Sequence, residues 1–150
     1  ILRPNLSFNS TVSHTISLVD NDISYTERSN SLDAGFKWFY RRHSIDLSGH
    51  VTRTTTDNPA VSTPDSRVYS LRLFYNTSFT PRTLYSIYYT WDKDDTAERI
   101  VSDLRTAFSW YYGKVVFTAD YELKNTQDKD SDITEHRIFL RLSRYFRKVL

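Results

Sequence analysis

The sequence predicts an all-β chain: a transmembrane up-and-down antiparallel β-barrel of about eight strands, with residues 1–150 forming one domain. Three observations predict it. Apolar and polar residues alternate with a period of two in eight separate runs, the period of a β-strand. One face of each run is aliphatic in the middle and aromatic towards its ends, while the other carries full charges. That is grease outside and charge inside, the arrangement of a barrel in lipid. Aromatic residues make up 15% of the chain, with 11 Tyr, 9 Phe and 3 Trp, enough to supply rings at both headgroup levels.

Composition removes several classes. There is no Cys, so neither disulfides nor a thiolate metal site hold the chain together. The formal net charge is +2 and the charges are scattered, which leaves no nucleic-acid footprint. Mean hydropathy is −0.56, and no run approaches the ~20 apolar residues of a spanning helix. A spanning strand needs only about 10 residues, every second of which can be polar. No secretory signal is visible. The chain opens Ile1-Leu2-Arg3-Pro4 and is almost at once strand-like, which reads as a trimmed chain or a piece of a longer one.

The runs follow in order. The first covers 5–18, with Leu6, Phe8, Val12, Ile16 and Leu18 in phase and Ser, Thr and Asn opposite. The polar stretch 19–30 leads to the second, 31–40, where Leu32, Ala34, Phe36 and Trp38 oppose Asp33, Gly35 and Lys37. Arg41-Arg42-His43 turns into the third, 44–54, with Ile45, Leu47 and Val51 against Asp46, Ser48, His50 and Thr52. A link at 55–66 holds Pro59 and Pro64. The fourth run, 67–76, passes through Thr77, Ser78 and Pro81 to the fifth, 83–91, which carries Tyr85, Ile87, Tyr89 and Trp91. Asp92-Lys93-Asp94-Asp95 ends it. The sixth, 99–112, sets Leu104, Phe108, Trp110 and Tyr112 against Asp103, Arg105 and Ser109. Gly113-Lys114 is a two-residue hairpin signal before the seventh run, 115–124. Polar residues 125–132 precede the eighth, 133–146.

Links after runs one, three, five and seven are polar, Asp-rich and mostly long; those after two, four and six are shorter. Outer-membrane barrels pair long extracellular loops with short periplasmic turns, which places both chain ends on the periplasmic side. An interfacial girdle is then expected from Trp38, Tyr40, Tyr75, Tyr85, Trp110, Tyr112 and Phe146 towards the short turns, and from Tyr69, Trp91 and Tyr121 towards the long loops.

Alternation alone does not say which face is inside. An eight-stranded barrel is just wide enough for side chains to fill it. The apolar face has about four to five large side chains per strand, too many for that interior, so it is turned outward. The inward charges must then pair. Around Arg41–His43, a register summing to 83 sets Lys37 opposite Asp46 and Asp33 opposite His50. Around Gly113, a sum of 227 sets Arg105 opposite Glu122 and Asp103 opposite Lys124. Across the last loop Asp120 falls opposite Arg137. With Arg72, Glu135 and Arg141 these give a nearly neutral, salt-bridged lumen, which favours a plug over a pore.

No catalytic constellation is expected. The lipid A deacylases carry His-x-Ser on one strand, and His14-Thr15-Ile16-Ser17 is one residue too long. Asp128-Lys129-Asp130-Ser131-Asp132 begins like a calcium loop but has Ile133 and Phe139 where Gly and Glu are needed. No dedicated metal site or cofactor is expected, though Asp20, Asp22, Asp94, Asp95, Asp128, Asp130 and Asp132 offer carboxylates that could hold divalent cations beside the phosphates of lipopolysaccharide. The sequons at Asn5, Asn9 and Asn76 lie in or near strands and are read as chance.

The eighth run, Ile138-Phe139-Leu140-Arg141-Leu142-Ser143-Arg144-Tyr145-Phe146, resembles the closing strand of bacterial outer-membrane β-barrels, although Arg147-Lys148-Val149-Leu150 follow the final aromatic. The strand style of the whole chain resembles the outer-membrane porins of proteobacteria, which include barrel partners of polysaccharide-secretion and cytochrome systems. The resemblance implies an outer-membrane location, assembly by the barrel assembly machinery, contact with outer-membrane lipid and lipopolysaccharide, and a secretion or electron-transfer partner. The expected role is structural, accessory or porin-like, without enzyme activity. Two alternatives stand beside it: the C-terminal strands of a larger porin with a water-filled lumen, and a soluble lipocalin-like lipid-binding barrel.

Overall fold

In a computed structural model, which describes residues 4–19, 25–57 and 65–144, the chain forms eight strands and no helix. They are β1 (Asn5–Val19), β2 (Tyr25–Tyr40), β3 (His43–Asp57), β4 (Ser66–Thr77), β5 (Thr83–Asp94), β6 (Arg99–Tyr112), β7 (Val115–Asp128) and β8 (Ser131–Arg144). All lie in one antiparallel sheet in sequence order. The alternating runs become strands because they offer the ladder one consistent apolar face and hold no internal Pro.

The strands outrun their sequence signals. The alternation of β2 reads from residue 31, yet pairing with β1 begins at Tyr25. β7 continues to Asp128, which consumes most of the link expected at 125–132 and leaves only Lys129-Asp130 as the turn. Polar hairpin ends extend the ladder without an apolar pattern to announce them. The expected contrast of long and short links is weakened for the same reason: four residues separate β5 from β6 and two separate β7 from β8, against five between β4 and β5.

Both registers read from the short turns are present. β2 and β3 pair Lys37 with Asp46 and Asp33 with His50, and β6 and β7 pair Arg105 with Glu122 and Asp103 with Lys124. Gly113 takes a left-handed φ of 59° in its turn, and Arg41 adopts φ 55° without a glycine's freedom. Across the last hairpin the expected pairing is corrected. Asp120 faces Phe139, and Arg137 faces Glu122. The turn at 129–130 is tighter than the polar residues around it imply, and the register moves by two.

The sheet is a staggered one. A row starting at the β2–β3 turn runs Tyr40, His43, Thr77, Tyr85, Phe108, Ala119, Leu140. By β6 it stands four residues above that strand's end at Tyr112. A climbing register is what tilted strands produce, and barrels require it. The expected closure, however, is not present: β1 and β8 are the two edges and do not pair among the described residues. Nor is a hydrophobic side chain buried among them. Apolar side chains are more exposed on the edge strands (Phe8 72%, Leu140 70%) than on central ones (Leu47 37%, Leu71 39%), because central residues have cross-strand neighbours on both sides.

Candidate functional site

Register assigns each strand residue to one of two faces, one mostly apolar and one mostly polar, with Phe39, Phe74, Tyr88 and Phe139 on the polar one. Every expected girdle residue that the structure describes lies on the apolar face: Trp38 and Tyr40 on β2, Tyr69 and Tyr75 on β4, Tyr85 and Trp91 on β5, Trp110 and Tyr112 on β6, and Tyr121 on β7. Phe146 lies outside the described residues. Rings two apart on a strand stand side by side, with Trp110 and Tyr112 stacked at 5.6 Å and Trp38 and Tyr40 tilted at 6.2 Å. Tyr121 is placed differently from its expectation. It shares a row with Ile138, Thr106 and Ile87 in the middle of β7, not near a long link, and its hydroxyl bonds His136 Nδ1 at 2.9 Å.

The polar face is ordered in rows that cross the whole sheet. One runs Ser7, Lys37, Asp46, Phe74, Tyr88, Arg105, Glu122, Arg137. The next runs Asn9, Gly35, Ser48, Arg72, Thr90, Asp103, Lys124, Glu135. On β6–β8 they knit into one chain of ion pairs. Arg105 Nη2 donates to Asp103 at 2.6 Å and lies 3.0 Å from Glu122. Glu122 lies 3.8 Å from Arg137, which reaches Glu135 at 2.7 Å. Glu122 is the hinge of that chain, holding a guanidinium on each side.

On β2 and β3 the charges form separate pairs. Lys37 Nζ sits 3.0 Å from Asp46. His50 bonds Asp33 through Nδ1 at 2.7 Å and Thr52 through Nε2 at 2.6 Å. An acid, an imidazole and a hydroxyl in line is the order of a nucleophile relay. Here, however, Thr52 lies on an interior strand whose backbone amides are committed to the ladders on either side, so its own strand offers no free backbone amide as an oxyanion donor. The chain fixes the histidine ring. Asp33, Lys37, Asp46 and His50, with Asn9 and Arg72, line a hollow of about 540 Å³. The Asn9 amide lies over Gly35, in the space a β-carbon would take.

Other expected members of the network are not drawn in. Arg72 and Arg141 form no ion pair among the described residues, and neither does Asp120. Asp103 faces Lys124 across the ladder but pairs with Arg105 on its own strand, and its Oδ1 has no hydrogen-bond partner there. Sequence reasoning also missed Phe74 and Tyr88, which face each other on the polar side and interrupt the charged row. Period two would have flagged them, since they are out of phase with Leu71, Leu73, Ile87 and Tyr89.

At the outer end of the apolar rows, where β3 and β4 run towards the link between them and β5 runs towards β6, the apolar face turns basic. Arg53 opposes Arg67. Asp65 accepts from Arg53, at 3.2 Å from Nε. Lys93 lies over the Tyr69 ring and 2.6 Å from Asp95. Asp128, Asp130 and Asp132 are not gathered: no three His, Asp or Glu among the described residues are grouped to hold a metal. Comparison with family models, curated proteins and solved structures finds no match.

Proposed function

We propose that this sheet is the membrane-spanning wall of a bacterial outer-membrane β-barrel, with the charged face towards the lumen and the apolar face in lipid. The observation that carries it is the uncovered apolar face: rows of Leu, Ile, Phe, Tyr and Trp on eight strands, exposed on the edge strands and half-buried on β5 and β7, with no second layer over them among the described residues. Over β2 that band runs from Leu32 to Tyr40, nine residues, the length of a spanning strand at roughly 9–11 residues. The hollows lined by Asp33, Lys37 and Arg72 and by Arg105 and Glu122 both lie on the polar side, which fits a sheet concave towards its charges. A lipocalin-like barrel would curve the other way and gather its apolar residues inside.

The role is passive: a structural, accessory or porin-like wall with no reaction of its own, in contact with outer-membrane lipid and lipopolysaccharide. The resemblance of strand style adds the barrel assembly machinery and a secretion or electron-transfer partner. A second arrangement, in which further strands join β1 and β8 to make a wider barrel with a water-filled lumen, is favoured by the two unpaired edges. From Asn5 to Ser17, β1 offers only Ser, Thr and Asn on its polar side, so it brings no charge to answer Glu135, Arg137 and Arg141 of β8.

The chain has no Cys, so single cysteines test the placement directly. In vesicles, cysteines at 70, 72, 88 and 105 should react with a membrane-impermeant thiol reagent. Those at 71, 73, 87 and 104 should resist it and lie close to brominated acyl chains. A monodisperse chain without detergent, labelled alike at both sets, would overturn the proposal. Planar-bilayer recording separates the two arrangements: a steady nanosiemens-scale current means the wide, water-filled barrel.

A further inference from the structure

We propose that Arg28, Arg53 and Arg67 form a site on the outward face for the phosphate of an anionic membrane lipid. The inference rests on the membrane placement above and adds a ligand to it.

The starting point is an unfavourable juxtaposition. Arg53 and Arg67 are directly opposed on β3 and β4, and like charges in that position repel. Arg28 pairs with Thr55, one diagonal step from Arg53 on the same face. All three are exposed. Asp65 answers Arg53, and Asp57 lies diagonally from Arg28 without an ion pair to it. Arg28 and Arg67 have no ion-pair partner among the described residues. Three planar guanidinium groups with one bound carboxylate leave donors for an oxyanion, and phosphate matches their fork geometry.

Depth gives the occupant. The next row inward from Arg53 and Arg67 on this face is Val12, Leu32, Val51 and Tyr69, so those two stand one row beyond the apolar band of β2–β4, and Arg28, opposite Ile16 of β1, stands two rows beyond it, at the depth where headgroup phosphates lie. Lys93 reaches over Tyr69 beside them. On β7 and β8 the corresponding end of this face holds Asn125, Gln127, Asp132 and Thr134, with no cation. The basic group is therefore a local site and not a general property of the rim.

The test uses the full chain in phosphatidylcholine vesicles with and without phosphatidylglycerol, reading retained lipid by native mass spectrometry. Wild type should enrich the anionic lipid, and R28Q and R67Q should each lower the enrichment about fivefold, the effect of one basic residue near an anionic surface. D65N, which releases Arg53 from its carboxylate, should raise it. A gain of that kind cannot come from misfolding. If the chain inserts and shows the alternating cysteine pattern but retains both lipids equally, the site is wrong and the membrane placement stands. If it does not insert, both fall. If inorganic phosphate displaces the lipid at equal phosphate concentration, the site recognises a free anion and the lipid assignment is overturned.

Discussion

The two charged regions of the polar face are built from the same residue types and behave differently. On β2–β3 the charges form short, separate units beside a hollow, and Lys37 and Asp46 keep 65% and 41% of their side-chain exposure. On β6–β8 five residues share one continuous chain whose inner carboxylates, Asp103 and Glu122, keep only 12% and 18%. Phe74 and Tyr88 stand between them. The lesson is that opposite charges on facing strands make a network only where a bidentate group bridges them. Arg105 binds two carboxylates with one guanidinium, which the point charge of Lys37 does not do.

The contrast can be broken at its strongest point. Glu122→Ala leaves Arg105 and Arg137 facing one another without their shared acid. It should cost about 1–3 kcal/mol, less than the 3–5 kcal/mol of a fully buried pair because the guanidiniums remain half exposed. Unfolding in detergent or lipid measures it, and a loss below that of Asp46→Ala would remove the distinction between the two regions.

Double-mutant cycles sharpen it. Arg105 and Glu122 should couple by about 1 kcal/mol, and Lys37 and Asp46 by about 0.2–0.5 kcal/mol. The second coupling should vanish in 1 M salt, where screening reaches only about 3 Å, while most of the first survives. Equal couplings, or equal salt sensitivity, would show that the chain of contacts has no collective character.

Smaller effects test the details. Phe74→Ala, at the divide, should cost roughly 0.5–1 kcal/mol of cross-strand packing and raise the salt sensitivity of the Lys37–Asp46 pair by letting water in. Gly35→Ala should cost under about 1 kcal/mol, because the colliding atoms belong to the mobile end of Asn9. Arg41→Gly should change least. It relieves a left-handed backbone worth about 1 kcal/mol but removes the guanidinium from over the Tyr40 ring, a contact of about 0.5–1 kcal/mol at an exposed site. Thermal unfolding of each variant gives the order.

Much of this was legible in the sequence. Hairpins closed by two residues, Arg41-Arg42 and Gly113-Lys114, fix a register that can be counted outward from the turn. Lys37–Asp46 and Arg105–Glu122 follow from that count. The β7–β8 register did not, because residues 125–128 are polar on both faces and do not say where the strand ends. A register counted across that stretch sets Asp120 against Arg137, whose partner is Glu122. Arg72 and Arg141 were grouped with the ion pairs on phase alone. Phase fixes the face, while contact also depends on which acid lies within reach of each side chain.

By itself the sequence determined the local order: eight strands, their two faces, and the pairing around the Arg41-Arg42 and Gly113-Lys114 turns. Strand periodicity and turn chemistry act over a few residues, and every such signal is contained in a short stretch of chain. Only the tertiary structure decided which charges touch, which aromatic residues interrupt them, and that β1 and β8 do not pair among the described residues. Those outcomes depend on stagger summed over eight strands, and a sum of that kind is written in no single segment.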